Sequence, residues 1–357
     1  EDLDIPEGKF LEAKKRYESV GAWLGKDESP LSVYTPEIYP QGSFSLGTVI
    51  KPITNKDEYD VDLVCFLAGL KKETTSQAEL KTMVGDRLKA NETYKKLLDQ
   101  EGRRCWTLNY ANEFHMDILP AITDDALRAQ GGLLSHALLI TDIQKIADKD
   151  PEWPKSNPRG YVLWFKSRQE SVFLALRKRL AESVKASVDE IPEYRVKTPL
   201  QRAIQILKRH RDIYCAREKK DCKPISIIIT TLAASLYKGQ ENVYSAIYDI
   251  LFGLNDSVMK QAGKFYIPNP ANPGENFADK WDKDPSLPKD FLEWVADART
   301  VFGSSLLEKI ENAEFSKRLE ESLGIKARDV SDGKFSVPPY VRVSTSSERR
   351  PWGSACV

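Results

Sequence analysis

The sequence has no excess of charge of either sign. Lysine plus arginine and aspartate plus glutamate each total 53 in 357 residues, which gives a formal net charge of zero. A protein without a net positive field is not drawn onto long nucleic acid by its overall charge. A local basic groove is still compatible with this composition.

Paired cysteines are also missing. The five cysteines show no C-x-x-C spacing and no neighbouring histidine cluster, which argues against a structural zinc site. They are Cys65, Cys105, Cys215, Cys222 and Cys356. We expect reduced thiols in a cytoplasmic protein.

Long hydrophobic runs are the third absence. No window reaches the apolar length of a membrane span, so no membrane segment is predicted. The N-terminus lacks the basic, apolar and small-residue order of a signal peptide. Because the sequence opens on Glu1, we expect that the natural start was trimmed.

The apolar pattern predicts a mixed αβ region in the first half. With 41% hydrophobic residues, the chain can bury one large core or two closely packed lobes. Pro120 is expected to end a strand, because proline cannot donate a ladder hydrogen bond. The predicted elements are a helix over 9–25, a helix of about two turns over 44–49, and strands at 59–67, 104–110 and 113–119, with the last two joined near Ala111 and Asn112.

Helices are predicted to dominate the second half. A stretch rich in proline and tryptophan, 148–160, is typical of a crossover between lobes. Thr198 followed by Pro199 predicts a helix start, and a second apolar helix is predicted over 225–237. The segment 267–277 contains three prolines and three asparagines, which favours a loop or turn series over a regular element.

These patterns predict two lobes and a tail. Residues 1–150 form an N-terminal helix plus the catalytic core, and residues 151–338 form a helical lobe. Residues 339–357 are polar and rich in serine, which predicts a flexible C-terminal tail.

A glycine-serine turn and three aspartates form the candidate site. Gly42 and Ser43 precede a strand in which Asp60 and Asp62 share one face, because side chains two apart in a strand point the same way. Asp117 lies in a second strand. Two divalent ions on three such carboxylates would stabilise the entering and leaving oxygens of nucleotidyl transfer. A glycine turn lets backbone N–H groups approach phosphate.

Ordinary interpretations compete at each position. An Asp-x-Asp pair often marks the solvated face of a strand, but Asp60 and Asp62 interrupt an apolar run, where unpaired carboxylates are costly. His115 shares the face of Asp117 and is either catalytic or a hydrogen-bonded structural residue. The basic run 208–211 is typical of a solvated helix end as well as of a phosphate contact.

Several stretches together resemble the bacterial CD-NTases, relatives of cyclic GMP-AMP synthase and oligoadenylate synthase. The resemblance runs from about residue 41 to 281 and is more specific than the aspartate pair alone. The similar stretches are Y-P-Q-G-S-F-S-L-G-T at 39–48, Y-D-V-D-L-V at 59–64, S-N-P-R-G at 156–160 with Trp164 and Phe165, T-P-L-Q-R at 198–202 leading to L-K-R-H-R at 207–211, and N-P-A-N-P at 269–273 with Asn276, Phe277 and Trp281.

The resemblance implies a fold and a set of phosphate ligands. The implied fold is α+β: a polymerase-β-like nucleotidyltransferase core packed against a helical lobe, with the active site in the cleft between them. Gly42 and Ser43 would bind the donor triphosphate. Lys208 and Ser226 match the phosphate contacts of the helical lobe, with Arg209 as the alternative to Lys208 if the register shifts by one residue.

The resemblance also implies the reaction. Asp60, Asp62 and Asp117 would be the catalytic metal triad, holding two Mg²⁺ ions or Mn²⁺ in their place. ATP and other nucleoside triphosphates would be joined, with release of pyrophosphate, into a cyclic di- or trinucleotide that contains adenine. This product would activate a downstream effector in antiphage signalling of the CBASS type.

Control is expected to come from a protein. The zinc insertion of the animal DNA sensor has no counterpart in this sequence, and the zero net charge removes another reason to expect activation by DNA. A regulatory protein partner or modification is therefore the better hypothesis. Some family members are conjugated through their C-terminal residue by ubiquitin-like transfer enzymes, and the tail that ends at Cys356 and Val357 suits that role as well as that of an inert tail.

Two other functions are compatible with the same residues. A template-independent transferase that extends RNA or makes linear oligoadenylate would use the same carboxylates. A non-catalytic nucleotide-binding regulator would have little need for Asp60, Asp62 and Asp117 together.

Overall fold

The computed structural model describes most of the chain. The predicted tail, 339–357, lies outside the described residues, as does Asn112 at the predicted hairpin turn. The described residues are 3–53, 58–111, 113–144, 152–220, 224–261, 263–303 and 321–324.

The first elements frame the glycine-serine turn. Helix α1 spans Glu7–Leu24 and buries Ala13, Val20 and Leu24, which confirms the helix predicted from the apolar spacing. The elements that follow are β1 (Pro36–Pro40), α2 (Gly42–Leu46), β2 (Tyr59–Leu67), α3 (Gln77–Lys89) and α4 (Glu92–Leu97).

Helix α2 is shorter than predicted and begins earlier. It starts at Gly42 rather than Phe44, and it ends at Leu46 because Gly47 adopts a left-handed conformation with φ 67°. The glycine-serine pair therefore lies inside the first turn of α2, directly after β1.

One sheet carries the candidate site. Its described strands run in the order β1-β2-β4-β5-β6, and β3 pairs with the other half of β4. β1 is antiparallel to β2, whereas β2 and β4 are parallel. The remaining strands are β3 (Trp106–Tyr110), β4 (Phe114–Thr123), β5 (Leu138–Ile140) and β6 (Lys155–Ser156).

The two faces of the sheet differ in chemistry. Val61, Leu63 and Ile118 are fully buried in a core that also contains residues of α1 and α3. The opposite face carries the three aspartates, because side chains alternate along each strand. β6 belongs to this sheet although it lies beyond residue 150, so the sheet extends slightly past the predicted lobe boundary.

Pro120 does not end β4. The hairpin of β3 and β4 is confirmed, but β4 continues through Pro120 to Thr123. Pro120 falls between Ile118, the last residue paired with β3, and Ala121, the first paired with β5. A missing N–H is tolerated at this break between neighbouring strands.

The second half is mainly helical, as predicted. Thr198 caps α8 with a reciprocal capping box to Gln201, and Pro199 occupies the first turn. Its apolar side packs in a second core with α9 and α11, which includes Leu207 and Trp294. The helices are α6 (Pro158–Ser167), α7 (Glu170–Ser183), α8 (Pro199–Arg217), α9 (Ser226–Leu236), α10 (Val243–Ser257) and α11 (Ser286–Gly303). A short helix, α5 (Asp125–Arg128), precedes β5.

The segment predicted as a loop over 267–277 contains a small hairpin. β9 (Pro268–Asn269) pairs with β10 (Asn272–Asn276), and Ala271 at its turn is held by the Asn269 side chain. Another hairpin precedes it, β7 (Met259–Gln261) with β8 (Lys264–Tyr266). Among the described helices, none is both long and apolar enough to cross a membrane.

Candidate active site

The sheet brings the three aspartates to one face. Asp60 and Asp62 lie two residues apart in β2, and Asp62 stands beside Asp117 in the parallel register of β2 and β4. Thr107 lies opposite Asp117 across the β3–β4 pair, and its hydroxyl donates to Oδ1 of Asp117 at 2.5 Å. One oxygen of Asp117 is therefore fixed by the protein, and the other remains for a ligand.

Negative charge is concentrated at Asp62. Burial raises the pKa of Asp62 to about 7, with further contributions from the carboxylates of Asp60 and Asp117, while Lys208 opposes the rise. A divalent cation would relieve this repulsion, and carboxylate oxygens are the ligands that Mg²⁺ prefers. The donor set therefore fits the predicted ions. In the described part of the chain, no group of three or more acidic, histidine or cysteine side chains is placed so that it could hold a metal ion without rearrangement.

The glycine-serine turn lies directly against this carboxylate. Gly42 has φ 59°, and a Cβ at this position would lie 2.3 Å from Oδ2 of Asp62. The N–H of Gln41 donates to the carbonyl of Asp62 at 2.8 Å, which ties the start of α2 to β2. The turn and the strand that carries Asp62 are thus in direct contact.

The segment after the turn, residues 46–51 (the linker segment), is held by the helical lobe through its carbonyl oxygens. The donors are polar side chains spaced along α8 or directly before it, so they lie on one helical stripe. The contacts are Gln201 to Leu46 at 2.8 Å, Lys197 to Gly47 at 2.7 Å, Lys208 to Thr48 at 3.0 Å, Gln205 to Val49 at 2.7 Å, and Arg209 to Lys51.

Lys208 faces the aspartates and Arg209 does not. Burial lowers the pKa of Lys208 to about 8, and Arg211 lowers it further, whereas Asp212, Asp62 and Asp60 oppose the shift. Arg209 instead reaches the carbonyl of Lys51, where burial lowers its pKa. The geometry favours Lys208 over Arg209 as the cation beside the turn, and its role as a phosphate ligand stays a prediction.

Ser226 is placed less directly. It occupies the first position of α9, where its hydroxyl accepts a hydrogen bond from Arg211 at 2.9 Å. Arg211 also donates to the carbonyl of Pro224. Ser226 thus contacts Arg211 of α8 and not the turn. Its phosphate contact remains a prediction.

His115 is engaged on both ring nitrogens. Nδ1 lies 2.6 Å from Oδ1 of Asn109, and Nε2 lies 2.6 Å from Oε2 of Glu58. In the register of β2 and β4, His115 stands beside Asp60. These contacts favour the hydrogen-bonded structural interpretation of His115 over a catalytic one.

Some residues of the site were not identified from the sequence. Thr107 gives no signal in a strand where threonine is common. Gln201 and Gln205 do give a signal, because they are polar residues four positions apart in a helix with many apolar residues. Both are buried, and buried polar side chains need hydrogen-bond partners. That spacing could have indicated a hydrogen-bonded stripe, but not what it binds.

Known proteins resemble this chain in sequence. Residues 36–120 match the family model described as the nucleotidyltransferase domain of cyclic GMP-AMP synthase DncV-like proteins. The chain is 33% identical over 348 residues to a c-di-GMP synthase of Roseivirga ehrenbergii, covering 96% of this chain and 83% of that protein.

Solved structures show the same fold. CdnG of Bradyrhizobium diazoefficiens, a CD-NTase solved in complex with GTP, has a TM-score of 0.68 at 21% identity and covers 90% of this chain and 92% of that one. CdnC of E. coli, solved in a complex with HORMA-deltaN, has a TM-score of 0.61 at 13% identity over 90% of this chain and 93% of that one. The implied α+β fold, a polymerase-β-like core packed against a helical lobe, is thereby confirmed.

Proposed function

Because the chain belongs to the CD-NTase family of DncV-like nucleotidyltransferases, we propose that it joins two nucleoside triphosphates into a cyclic dinucleotide. The observation that carries this proposal is the 33% identity to a c-di-GMP synthase across nearly the whole chain. On the same ground we propose GTP as the substrate at both positions. The adenine-containing di- or trinucleotide expected from the sequence is the alternative product that the test below distinguishes.

The turn and the helical lobe would hold the donor triphosphate. Gly42 and Ser43 form the first turn of α2, and the Ser43 hydroxyl and the N–H groups of this turn would be donors to the phosphates. Lys208 supplies a cation within the same cleft. A triphosphate there would replace the carbonyl of Thr48 as the partner of the Lys208 ammonium.

Asp60, Asp62 and Asp117 would hold two divalent ions, Mg²⁺ with Mn²⁺ as a substitute. When bound, such ions neutralise charge on the entering and leaving oxygens of an in-line phosphoryl transfer. The support is the shared negative charge at Asp62 and the hydrogen bond from Thr107 that orients Asp117.

The reaction would proceed in two equivalent nucleotidyl-transfer steps. A ribose hydroxyl of one nucleotide attacks the α-phosphorus of the other, a P–O bond forms, and pyrophosphate leaves with the proton passing to solvent or to a carboxylate. The linear intermediate then turns, and its remaining triphosphate is attacked by the free ribose hydroxyl. Two triphosphates give one cyclic dinucleotide and two pyrophosphates.

We also propose that the product signals in antiphage defence through a downstream effector. CdnC of E. coli, which has a similar fold, was solved with HORMA-deltaN, and this supports control of the present chain by a protein partner. Conjugation of the C-terminal residue concerns residues outside the described part of the structure. Phage challenge of cells that carry the wild-type gene or its Asp62→Asn variant, together with the neighbouring genes, tests this role.

The decisive experiment is a direct assay. The purified protein is incubated with Mg²⁺ and all four ribonucleoside triphosphates, treated with phosphatase, and analysed by mass spectrometry. A phosphatase-resistant species with the mass of two guanosine monophosphates less two waters supports the proposal. The same assay with Asp60→Asn and Asp62→Asn together should give no product.

Other outcomes point elsewhere. A resistant species that contains adenine would replace the GTP assignment and keep the cyclase. Phosphatase-sensitive linear chains would favour the oligoadenylate or RNA-extending alternative. Nucleotide binding without any product, also in the presence of candidate partner proteins, would favour the non-catalytic regulator.

A further inference from the structure

The first described residues of the chain, 3–7 (the N-terminal strap), cross from the core to the helical lobe. The carbonyl of Leu3 accepts a hydrogen bond at 2.7 Å from the N–H of Lys51, the last residue of the linker segment. The side chain of Leu3 is 6% exposed. Oδ2 of Asp4 accepts from Nη1 of Arg202 on α8 at 2.6 Å. The strap therefore touches the linker segment and the helix that holds it.

Asp4 fixes the amide of Gln205. The two hydrogens on Nε2 of Gln205 are both used, one donated to Oδ1 of Asp4 at 3.0 Å and the other to the carbonyl of Val49 at 2.7 Å. Oε1 of the same amide accepts from Arg202 at 3.1 Å. An amide with three such partners has only one orientation that satisfies them all. Asp4 thus determines which way Gln205 faces the linker segment.

The charge on Asp4 makes this arrangement stronger. Burial raises the pKa of Asp4, but the Arg202 guanidinium and the Gln205 amide outweigh burial, so the pKa lies below its ordinary value. Hydrogen bonds to an ionised carboxylate are roughly twice as strong as those between neutral groups. The anchor is therefore present throughout the neutral pH range.

The strap is anchored a second time at its other end. Oε1 of Glu7 accepts from the Tyr194 hydroxyl and from Nη2 of Arg195, each at 2.7 Å. One turn later in α1, Phe10 stacks on Phe44 of α2 with ring centroids 4.6 Å apart, and on Tyr194 at 4.9 Å. The N-terminal region thus packs on both ends of the turn and linker that receive the triphosphate.

We infer that Asp4 is a positioning residue for the donor triphosphate, acting through Gln205 on the linker segment rather than by touching the nucleotide. The inference rests on the proposed function, because the turn and Lys208 are assigned to the triphosphate there. Lys208 and Gln205 hold adjacent carbonyls, of Thr48 and Val49, so a linker segment that loses the Gln205 contact is also less firmly placed beside the Lys208 ammonium. Any event that lifts the strap would then weaken substrate binding from a distance.

Asp4→Asn tests this inference, because it keeps the shape of the side chain and removes its charge. Two measurements are made on each variant: amide hydrogen exchange of the linker segment in the nucleotide-free protein, and the Michaelis constants for the triphosphate. The matched control is Asp86→Asn, which removes an exposed aspartate 3.7 Å from Lys89 on α3. Asp4→Glu keeps the charge and serves as the conservative variant.

Asp4→Asn is expected to speed exchange at residues 46–51 and to raise KM about tenfold, as the loss of one charge-assisted hydrogen bond predicts. Its kcat should change less than its KM, because misplaced binding groups weaken substrate binding before chemistry. Asp86→Asn should match wild type in both measurements, and Asp4→Glu should lie closer to wild type than Asp4→Asn.

A purely structural role would look different. Asp4→Asn would then lower the melting temperature while leaving exchange of the linker segment and KM at wild-type values, and the inference would be overturned. If Asp4→Asn does not fold, Arg202→Lys replaces it, since that variant weakens the same triangle more gently. Failure of the wild-type protein to turn over any nucleotide would refute the proposed function. Unchanged amide exchange of the linker segment in Asp4→Asn would independently refute the positioning role of Asp4.

Discussion

The Cα of Gly42 packs directly on the carboxylate of Asp62, so that even a methyl group on Gly42 would come within 2.3 Å of Oδ2. The contact joins the first residue of α2 to the middle of β2. Glycine suits this position for two reasons. A side chain would meet Asp62, and the φ of 59° is a conformation that other residues adopt at a cost. A change at the glycine-serine turn is therefore expected to disturb the carboxylate of Asp62 as well.

Gly42→Ala should abolish most activity while leaving the fold intact. The added methyl group would rotate the Asp62 carboxylate, which is free to turn at the end of its side chain, and misplacement of a catalytic group by about 1 Å can cost about a hundredfold in rate. Initial rates of pyrophosphate release measure the effect, and circular dichroism checks the fold. Gly8→Ala is the control, because a Cβ on Gly8 meets no atom within 4 Å. Equal activity in the two variants would contradict the contact.

Asp62→Asn should stabilise the metal-free protein at pH 8 and remove its activity. A folded-state pKa of about 7 lies above the ordinary value, so the folded protein holds this proton more tightly than the unfolded chain does. The contribution of Asp62 to stability therefore falls as pH rises from about 4 to about 7, and an amide removes that loss. Urea unfolding in EDTA should show a gain on the order of 4 kcal/mol at pH 8 and little gain at pH 4. A gain that does not depend on pH would count against the assigned cause.

Thr107→Val should lower activity about tenfold, and Thr107→Ser should restore most of it. The Thr107 hydroxyl donates to Asp117, and without this hydrogen bond the Asp117 carboxylate would no longer be held in one orientation for a metal ion. Loss of such partners around metal ligands typically lowers metal affinity or activity. Isothermal titration with Mn²⁺ should show weaker binding to the valine variant, which separates orientation of the ligand from a defect in chemistry. Undiminished Mn²⁺ affinity in Thr107→Val would argue that the hydrogen bond has no such role.

Affinity for the triphosphate should fall as pH rises above about 8. Only the protonated form of Lys208 attracts phosphate, and its pKa of about 8 in the empty protein means that half of the molecules lose this charge at that pH. Bound nucleotide raises the pKa again, so binding should take up a proton between about pH 8 and 10. Equilibrium binding across pH for wild type and Lys208→Met tests the assignment. The methionine variant should bind weakly and lose this part of the pH dependence, whereas a pH profile identical to wild type would shift the assignment to another cation.

The sequence predicted the elements whose patterns are local. Helix α1, the β3–β4 hairpin and the start of α8 at Thr198 and Pro199 all depend on spacing or capping within a few residues, and each is present. The grouping of Asp60, Asp62 and Asp117 on one face also follows from strand alternation once β2 and β4 pair. The reaction proposed for these carboxylates came from the family resemblance and not from any local pattern.

Features set by partners distant in the chain were not predicted. Strand β4 continues through Pro120 because its neighbouring strand changes there from β3 to β5, and no pattern around the proline itself shows this. Asp4 and Gln205 are separated by 201 positions, so their hydrogen bond has no signature in either segment. Thr107 and Asp117 are only ten positions apart, but their hydrogen bond depends on the exact register of the hairpin, which the predicted strand bounds did not give.

The contacts between α8 and the linker segment constrain the amino-acid sequence differently on their two sides. Each uses a side chain on the helical lobe and only a backbone carbonyl on the core, and a carbonyl is common to all twenty residue types. Positions such as Val49 and Lys51 can therefore drift in sequence without losing the bond, whereas Gln205 cannot. These contacts between the lobes therefore depend on the side chains of one helix, whereas the linker segment contributes only its backbone to them.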